Sequence, residues 1–292
     1  MYYKNAKVYS DGSHYIAIPQ ENFPKRKGKI IKKSNSPMKD KFEETFAESK
    51  KLPKKERKDF LTAKLREEFR TEEQTKEFIE RNIERKNNNA IKRRIRLMRK
   101  IYLQDWNCFC TFTYDDKKHS EDTFKRKLLN CLRHLQSRKG WKYIGVWERS
   151  PKKERLHFHG IFAIPENEMI GTFTETIDYS TKTHRMQNAC QNSHFLKKFG
   201  RNDFKRINSK EDTLQSVNYL MKYMEKTNGK LIYSRGLPTH FISDILSEDI
   251  VCKIGVDGRK ALLFDDFKCI IDGEIIGQVG KDTIEKTDKL NQ

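Results

Sequence analysis

The sequence predicts an α+β fold, in which helices pack on a face of a central antiparallel sheet. The main observation is the order of elements after residue 103, which is strand, helix, strand, strand, strand, helix. The strands are recognised by their alternation and their aromatic and β-branched residues. Hydrophobic residues make up 35% of the chain and aromatic residues 11%. The chain can therefore build a core, although not from its whole length.

The residues before position 103 divide into three segments. Residues 1 to about 23 contain short alternations that predict one or two strands. Residues 24–40 are basic, contain Pro, Gly and Ser, and predict a linker. From about 41 to 103 the pattern is helical, with an apolar face formed by Phe60, Leu61, Ala63, Leu65 and Phe69. We therefore expect a basic, largely helical N-terminal extension over residues 1–100.

The middle of the chain predicts the sheet itself, over a domain of residues 101–235. Its predicted strands are Asn107–Thr113, Lys142–Arg149, Arg155–Ile164 and Asn202–Ile207. Its predicted helices run from an N-cap at Ser120 to Lys139 and from Asp212 to Lys226, with a polar insertion at 165–200. Short apolar runs farther on predict a small C-terminal β-containing region, residues 236–292.

The charge of the chain points to a polyanionic partner. Lys and Arg number 61 against 41 Asp and Glu, a net charge of +20 with a pI near 9.6. Nucleic acid is the first expectation and an anionic membrane the second. No window approaches the length of a transmembrane helix, and the N-terminus lacks a secretory signal, so we expect a cytoplasmic protein without membrane contact. The six Cys show no CxxC spacing, and a P-loop is absent from the sequence.

Half of the excess charge lies between Lys50 and Lys100, where 19 basic residues stand against nine acidic ones. The part from Lys86 to Lys100 holds seven basic residues and no acidic one. A charge run is often only a solvated helix face. Here the acidic residues that would form i,i+4 pairs are missing. We therefore predict a helix that contacts DNA or RNA.

Two histidines alternate on the third strand of the predicted sheet domain. His157 and His159 share one face of the strand because side chains alternate. If the preceding hairpin turns about Lys152-Lys153, Glu148 pairs with His157 on that face. Two imidazoles and a carboxylate form a metal site with open positions for water or substrate. The alternative is a pair of half-buried structural histidines.

Two tyrosines lie one turn apart on the last helix of this domain. A stripe of apolar residues faces one way, and Tyr219, Lys222 and Tyr223 lie on the opposite stripe. Phenols with an ammonium group beside them suit a reaction with phosphate, because the lysine favours the phenolate and stabilises phosphoryl charge. The alternative is core packing of the two aromatic rings.

Together these motifs resemble those of the HUH endonuclease superfamily, in particular the two-tyrosine rolling-circle replication initiators of single-stranded DNA phages and plasmids. The segment NCFCTFTYDD resembles the first motif, LHFHGIF the histidine strand, and YLMKY the two-tyrosine third motif. The resemblance covers about residues 103–240, roughly half of the chain. It includes neither the basic N-terminal extension nor the tail beyond about residue 245.

The resemblance implies an RRM-like nuclease fold and a divalent metal, Mg²⁺ or Mn²⁺, bound by His157, His159 and Glu148. It further implies that Tyr219 attacks single-stranded or extruded origin DNA and leaves a 5′-phosphotyrosine and a 3′-OH for a host polymerase. Tyr223 would make the second cut, and Lys222 would support the reacting charge. A host helicase would unwind the DNA, and the protein would act in the cytoplasm of a bacterial host.

Several other functions fit parts of the same pattern. A two-tyrosine single-strand transposase or a plasmid relaxase would share the chemistry, although relaxases usually carry a third histidine and such transposases an N-terminal zinc module. A non-catalytic nucleic-acid-binding protein with an RRM-like sheet would use neither motif for cleavage. A cupin-like enzyme would need more strands and a carboxylate after the histidine pair.

Overall fold

The computed structural model describes residues 2–20, 36–53, 55–150, 154–180, 184–227, 230–254 and 259–291. Within these ranges the helices are α1 (Pro37–Ser49), α2 (Glu56–Leu65), α3 (Glu72–Tyr102), α4 (Glu121–Lys139), α5 (Ser193–Lys198), α6 (Lys210–Thr227) and α7 (Lys281–Leu290). The strands are β1 (Tyr2–Ser10), β2 (Tyr15–Ile18), β3 (Cys108–Thr113), β4 (Lys142–Arg149), β5 (Leu156–Ala163), β6 (Phe173–Ser180), β7 (Arg185–Asn192), β8 (Asn202–Arg206), β9 (Ile232–Tyr233), β10 (Phe241–Leu246), β11 (Cys252–Ile254), β12 (Lys260–Leu263), β13 (Lys268–Ile271) and β14 (Glu274–Gln278).

A five-stranded antiparallel sheet in the order β8-β3-β5-β4-β9 forms the centre of the predicted domain. The strands alternate, so each buries one row of side chains on the face that α4 covers. This core includes Cys110, Phe112, Phe158 and Phe162 from the sheet and Phe124, Leu128, Leu132 and Leu135 from α4. Helix α6 contacts β4 and β5. The predicted α+β class, a central sheet with flanking helices, is confirmed.

Helix α4 begins and ends where the sequence predicts. The side chain of Ser120 accepts a hydrogen bond from the backbone N–H of Thr123, and acidic residues occupy the first turn. Gly140 ends the helix with φ of 68°, a left-handed conformation that glycine adopts without steric cost. Because the helix stops there, the chain turns directly into β4, the strand that carries Glu148.

A seven-stranded sheet in the order β11-β12-β2-β1-β10-β13-β14 joins the two ends of the described chain. β1 pairs with β10, and β2 pairs with β12. Its core contains Val8 and Ala17 from the N-terminal strands and Phe241, Leu263 and Phe267 from the C-terminal region. The first residues form strands, as predicted. They lie in one sheet with the C-terminal strands, however, whereas the sequence analysis assigned them to the helical extension, because local patterning shows a strand but not its partner.

The chain separates into two compact units, one of residues 1–19 and 98–292 and the other of residues 20–97. In the second unit, α1, α2 and the first turns of α3 enclose Phe42, Leu61, Leu65 and Ile79. Most of the predicted linker, residues 21–35, lies outside the described residues, and α1 already begins at Pro37. In the described part of the chain, none of the helices is both long and apolar enough to cross a bilayer.

Candidate active site

The β4–β5 hairpin places the three predicted metal ligands on one face of the five-stranded sheet. Glu148 pairs with His157, so the predicted register is confirmed, and Val146 pairs with His159. This face lies opposite the α4 core, because Phe158 between the two histidines belongs to that core. Glu148 and His159 are buried, and His157 is half-buried. The turn residues 151–153, including Lys152 and Lys153, lie outside the described residues.

Two threonines on β3 fix the orientation of the histidine rings. β3 pairs with β5 so that Thr111 faces His159 and Thr113 faces His157. The hydroxyl of Thr111 lies 3.0 Å from Nδ1 of His159, and that of Thr113 lies 2.8 Å from Nδ1 of His157. Each hydrogen bond holds one ring nitrogen and turns the other, Nε2, toward the site. Sequence analysis missed both threonines. Their alternation in FCTFT was visible, but the pairing of β3 with β5 was not.

The carboxylate of Glu148 contacts the second histidine directly. Its Oε2 lies 2.8 Å from Nε2 of His159. Burial lowers the pKa of His157 to about 4, and the neighbouring His159 acts in the same direction. His157 is therefore a neutral imidazole at pH 7, the form in which histidine binds metals.

The chemistry of this donor set, two imidazoles and a buried carboxylate, fits a divalent cation. Their positions do not form a closed coordination shell. Among the residues that the structure describes, no three His, Cys, Asp or Glu side chains are grouped to hold a metal ion. Glu148 spends one oxygen on His159, at hydrogen-bonding distance. The metal-ligand assignment of His157, His159 and Glu148 stays a prediction.

Helix α6 lies over the same face and brings both tyrosines to the histidines. The ring of His159 lies 5.3 Å from that of Tyr219 and 5.9 Å from that of Tyr223, between centroids. The two phenol rings are 4.6 Å apart, and Phe109 packs edge-on against Tyr219. Val217, Leu220 and Met221 on the helix are buried. The tyrosines are half-buried rather than on a separate solvent-facing stripe, because α6 rests on the sheet along its tyrosine edge.

Both phenols keep their protons at neutral pH. Burial raises the pKa of Tyr219 far above its usual range, and a hydrogen bond with Tyr223 and the charge of Glu148 act in the same direction. Burial also raises the pKa of Tyr223, where the hydrogen bond with Tyr219 acts oppositely and Glu148 adds to the rise. The expectation that Lys222 favours a phenolate differs from this arrangement. The Lys222 side chain is exposed, and the carboxylate in contact with both phenols is Glu148.

The acidic loop after β3 is tied to the start of the histidine strand. A guanidinium nitrogen of Arg155 donates to the backbone carbonyl of Tyr114 at 2.6 Å and lies 2.8 Å from a carboxylate oxygen of Asp116. The guanidinium also lies over the Tyr114 ring. These contacts fix the loop of the first motif beside His157, and they orient the edge of the site.

The assembled site agrees with what a comparison with known families finds. Residues 107–228, less than half of the chain, match the model of a family described as replication-associated protein ORF2. This match includes both histidines, Glu148 and both tyrosines. No curated protein sequence and no solved structure matches the chain. Residues 107–228 are therefore similar to replication-associated proteins of the ORF2 family, a similarity consistent with a rolling-circle replication initiator.

Proposed function

We propose that the protein initiates rolling-circle replication by nicking one DNA strand and forming a covalent link to it. The observation that carries this proposal is the meeting of the two tyrosine rings at His159, within 6 Å between centroids, on the face that also holds Glu148 and His157. A purely structural pair of tyrosines would not need a buried carboxylate and two oriented imidazoles beside it. The family similarity supports replication rather than transposition as the process.

In the proposed reaction, the phenolic oxygen of Tyr219 attacks the phosphorus of a phosphodiester. An O–P bond forms, the bond from phosphorus to the 3′-oxygen breaks, and the DNA is left with a 5′-phosphotyrosine and a 3′-OH. The phenol must first lose its proton, and a carboxylate oxygen of Glu148, in contact with the phenol, is placed to take it. The leaving 3′-oxygen takes up a proton from solvent.

A divalent ion, Mg²⁺ or Mn²⁺, held by His157, His159 and Glu148 would supply polarisation of the scissile phosphate. The two threonine hydroxyls orient the imidazoles for this role, and burial keeps His157 neutral. Lys222, exposed on α6 beside the tyrosines, is proposed to contact the DNA phosphate near the reacting group. A host polymerase would extend the 3′-OH, and a host helicase would open the duplex.

Tyr223 would serve the second cut of a replication round. Its ring lies 4.6 Å from that of Tyr219, so both phenols reach the same region of the sheet with little movement of α6. After Tyr219 has been consumed in the first link, Tyr223 attacks the regenerated origin. The 3′-OH released by that cut then displaces Tyr219 from the first phosphate and closes a circle.

The deciding experiment is detection and mapping of a covalent adduct. Wild-type protein is incubated with labelled single-stranded oligonucleotides that tile the candidate origin, with Mg²⁺ or Mn²⁺ and, in parallel, with a chelator. We expect an adduct that needs the metal and maps to Tyr219. The Tyr219→Phe variant should bind DNA but give no adduct. The Tyr223→Phe variant should give the adduct but release no unit-length circles.

Tyr179→Phe, at an exposed tyrosine of the β6–β7 hairpin, is the matched control and should behave as wild type. An adduct only on Tyr223 would reverse the two roles. Binding without an adduct on either tyrosine would favour the non-catalytic nucleic-acid-binding alternative. Joining of the cut strand into a second DNA molecule, in place of circle release, would favour a transposase.

A further inference from the structure

The middle of α3 contains ten consecutive residues, 87–96, whose side chains are all exposed. Before this segment the helix buries Thr75, Ile79 and Asn82 on one side, and after it Leu97 is fully buried. At 1.5 Å per residue the exposed segment is about 15 Å of helix, nearly three turns. A helix segment exposed on every side is either a bridge between packed parts or a surface that a partner covers.

The sequence of this segment, NNNAIKRRIR, is strongly basic and lacks compensating charge. Lys92, Arg93, Arg94 and Arg96 have no acidic residue three or four positions away, so no intrahelical ion pair neutralises them. The first turns of the same helix differ, since Lys76 pairs with Glu72 and Arg81 pairs with Glu77. The uncompensated charge is therefore confined to the exposed part.

The basic residues are not spread evenly around the helix. At 100° per residue, Asn89, Lys92, Arg93 and Arg96 fall within an arc of about 100°. Arg94 lies about 160° away from Arg96, on the side that carries the exposed Ile91 and Ile95. The segment thus has one polar face made of residues that hydrogen-bond to phosphates and to base edges, with asparagine suited to adenine and arginine to guanine.

We propose that this face, formed by Asn89, Lys92, Arg93 and Arg96, enters the major groove of duplex DNA. A helix is about 10–12 Å across, and the major groove of B-DNA is about 12 Å wide. The segment contains no aromatic residue, whereas proteins that bind single strands use aromatic side chains to stack the bases. The major groove of duplex RNA is too narrow for side chains to read. The site lies outside residues 107–228 and is separate from the tyrosine site.

The first test compares two matched charge removals on opposite sides of the helix. Binding of the full-length protein to a labelled 20-bp DNA duplex is measured by fluorescence anisotropy in a chelator, over about 50–200 mM salt. Arg96→Gln should weaken binding about five- to tenfold near 0.1 M salt and flatten the log–log salt slope by about 0.9. Arg94→Gln should change affinity less than about twofold and leave the slope unchanged. Both positions are exposed, and circular dichroism checks that both variants fold.

A second measurement tests the groove and the kind of nucleic acid. A duplex in which glucosylated 5-hydroxymethylcytosine fills the major groove should bind wild type about as weakly as the unmodified duplex binds Arg96→Gln, while a minor-groove ligand should have little effect. The Arg96→Gln loss should be absent on a single strand of the same sequence. Equal losses from Arg94→Gln and Arg96→Gln, or equal binding to blocked and open grooves, would overturn the proposal. Adduct formation on short single strands is scored separately, so a failure of the nicking proposal leaves this result unaffected.

Discussion

Individual side chains of the site depend on residues that take no part in the chemistry themselves. The hydroxyls of Thr111 and Thr113 hold the Nδ1 atoms of the two histidines, and each threonine comes from a strand other than that of its histidine. His159 in turn contacts Glu148 and both tyrosine rings. A ring held at one nitrogen has one orientation and one favoured tautomer, so Thr111 positions the residue on which the other parts of the site converge.

Replacement of Thr111 by Val keeps the shape of the side chain and removes the hydroxyl. We expect Thr111→Val to slow adduct formation about 10- to 100-fold, the range typical of groups that orient functional histidines. Thr111→Ser, which keeps the hydroxyl, should stay within about threefold of wild type. Nitrogen NMR of the histidine rings should show a changed tautomer balance at His159 only in Thr111→Val. A valine variant with wild-type rate and tautomer would remove Thr111 from the site.

At the level of elements, the β4–β5 hairpin is shaped by two glycines that face each other. Gly145 pairs with Gly160, and both lie on the α4 side of the sheet among the rings of Phe158 and Phe162. A Cβ on Gly145 would lie 2.2 Å from the ring of Phe158 and 2.9 Å from the backbone oxygen of His159. The absent side chains let the aromatic rings pack flat over the strands, which fixes the hairpin that carries Glu148 and His157.

Gly145→Ala should therefore lower the free energy of unfolding by about 2–3 kcal/mol, because the buried Phe158 ring and the neighbouring backbone have no room to move. Urea unfolding followed by tryptophan fluorescence measures this change. Gly280→Ala is the control. Its Cβ would meet its nearest neighbour at 3.8 Å, and the cost should stay below about 1 kcal/mol, arising from the weaker N-cap of α7. Equal stabilities of the two variants would contradict this account of the hairpin.

At the scale of the whole molecule, the chain ends meet in one sheet although more than 200 residues separate them. β1 and β2 lie in the middle of the seven strands, between β10 and β12. The C-terminal strands therefore cannot complete their backbone hydrogen bonds or their core without residues 2–18. A sheet with its two central strands disrupted would also expose unpaired strand edges.

Val8→Asp should disrupt this sheet from its N-terminal strand. Val8 is fully buried, and an unpaired carboxylate in that position costs several kcal/mol unless it takes up a proton. We expect hydrogen exchange of β10 and β12 to lose protection, while protection of β3, β4 and β5 changes much less. Ser13→Asp adds the same group in the exposed turn between β1 and β2 and should leave protection unchanged. Unaltered protection of β10 in Val8→Asp would show that the C-terminal strands fold without the N-terminus.

The sequence by itself determined the local structure and the residues with chemical potential. The bounds of β4 agree with the prediction, and those of β3, β5, α4 and α6 lie within about two residues, because alternation, capping residues and helical periodicity are properties of short segments. Within one hairpin, turn position also determined register, so the pairing of Glu148 with His157 was predictable. The HxH strand and the YxxKY helix were visible for the same reason.

Only the tertiary structure decided which segments meet. The pairing of β3 with β5 brings Thr111 and Thr113 to the histidines, and the placement of α6 brings Tyr219 and Tyr223 to Glu148 and His159. The joining of β1 with β10 lies beyond any local pattern as well. In each case the contact depends on packing between segments distant in sequence, and periodicity shows which face of an element is buried but not what it is buried against. The proton affinity of the phenols follows from the same burial, which is why the sequence suggested Lys222 as their neighbour and the fold supplied Glu148.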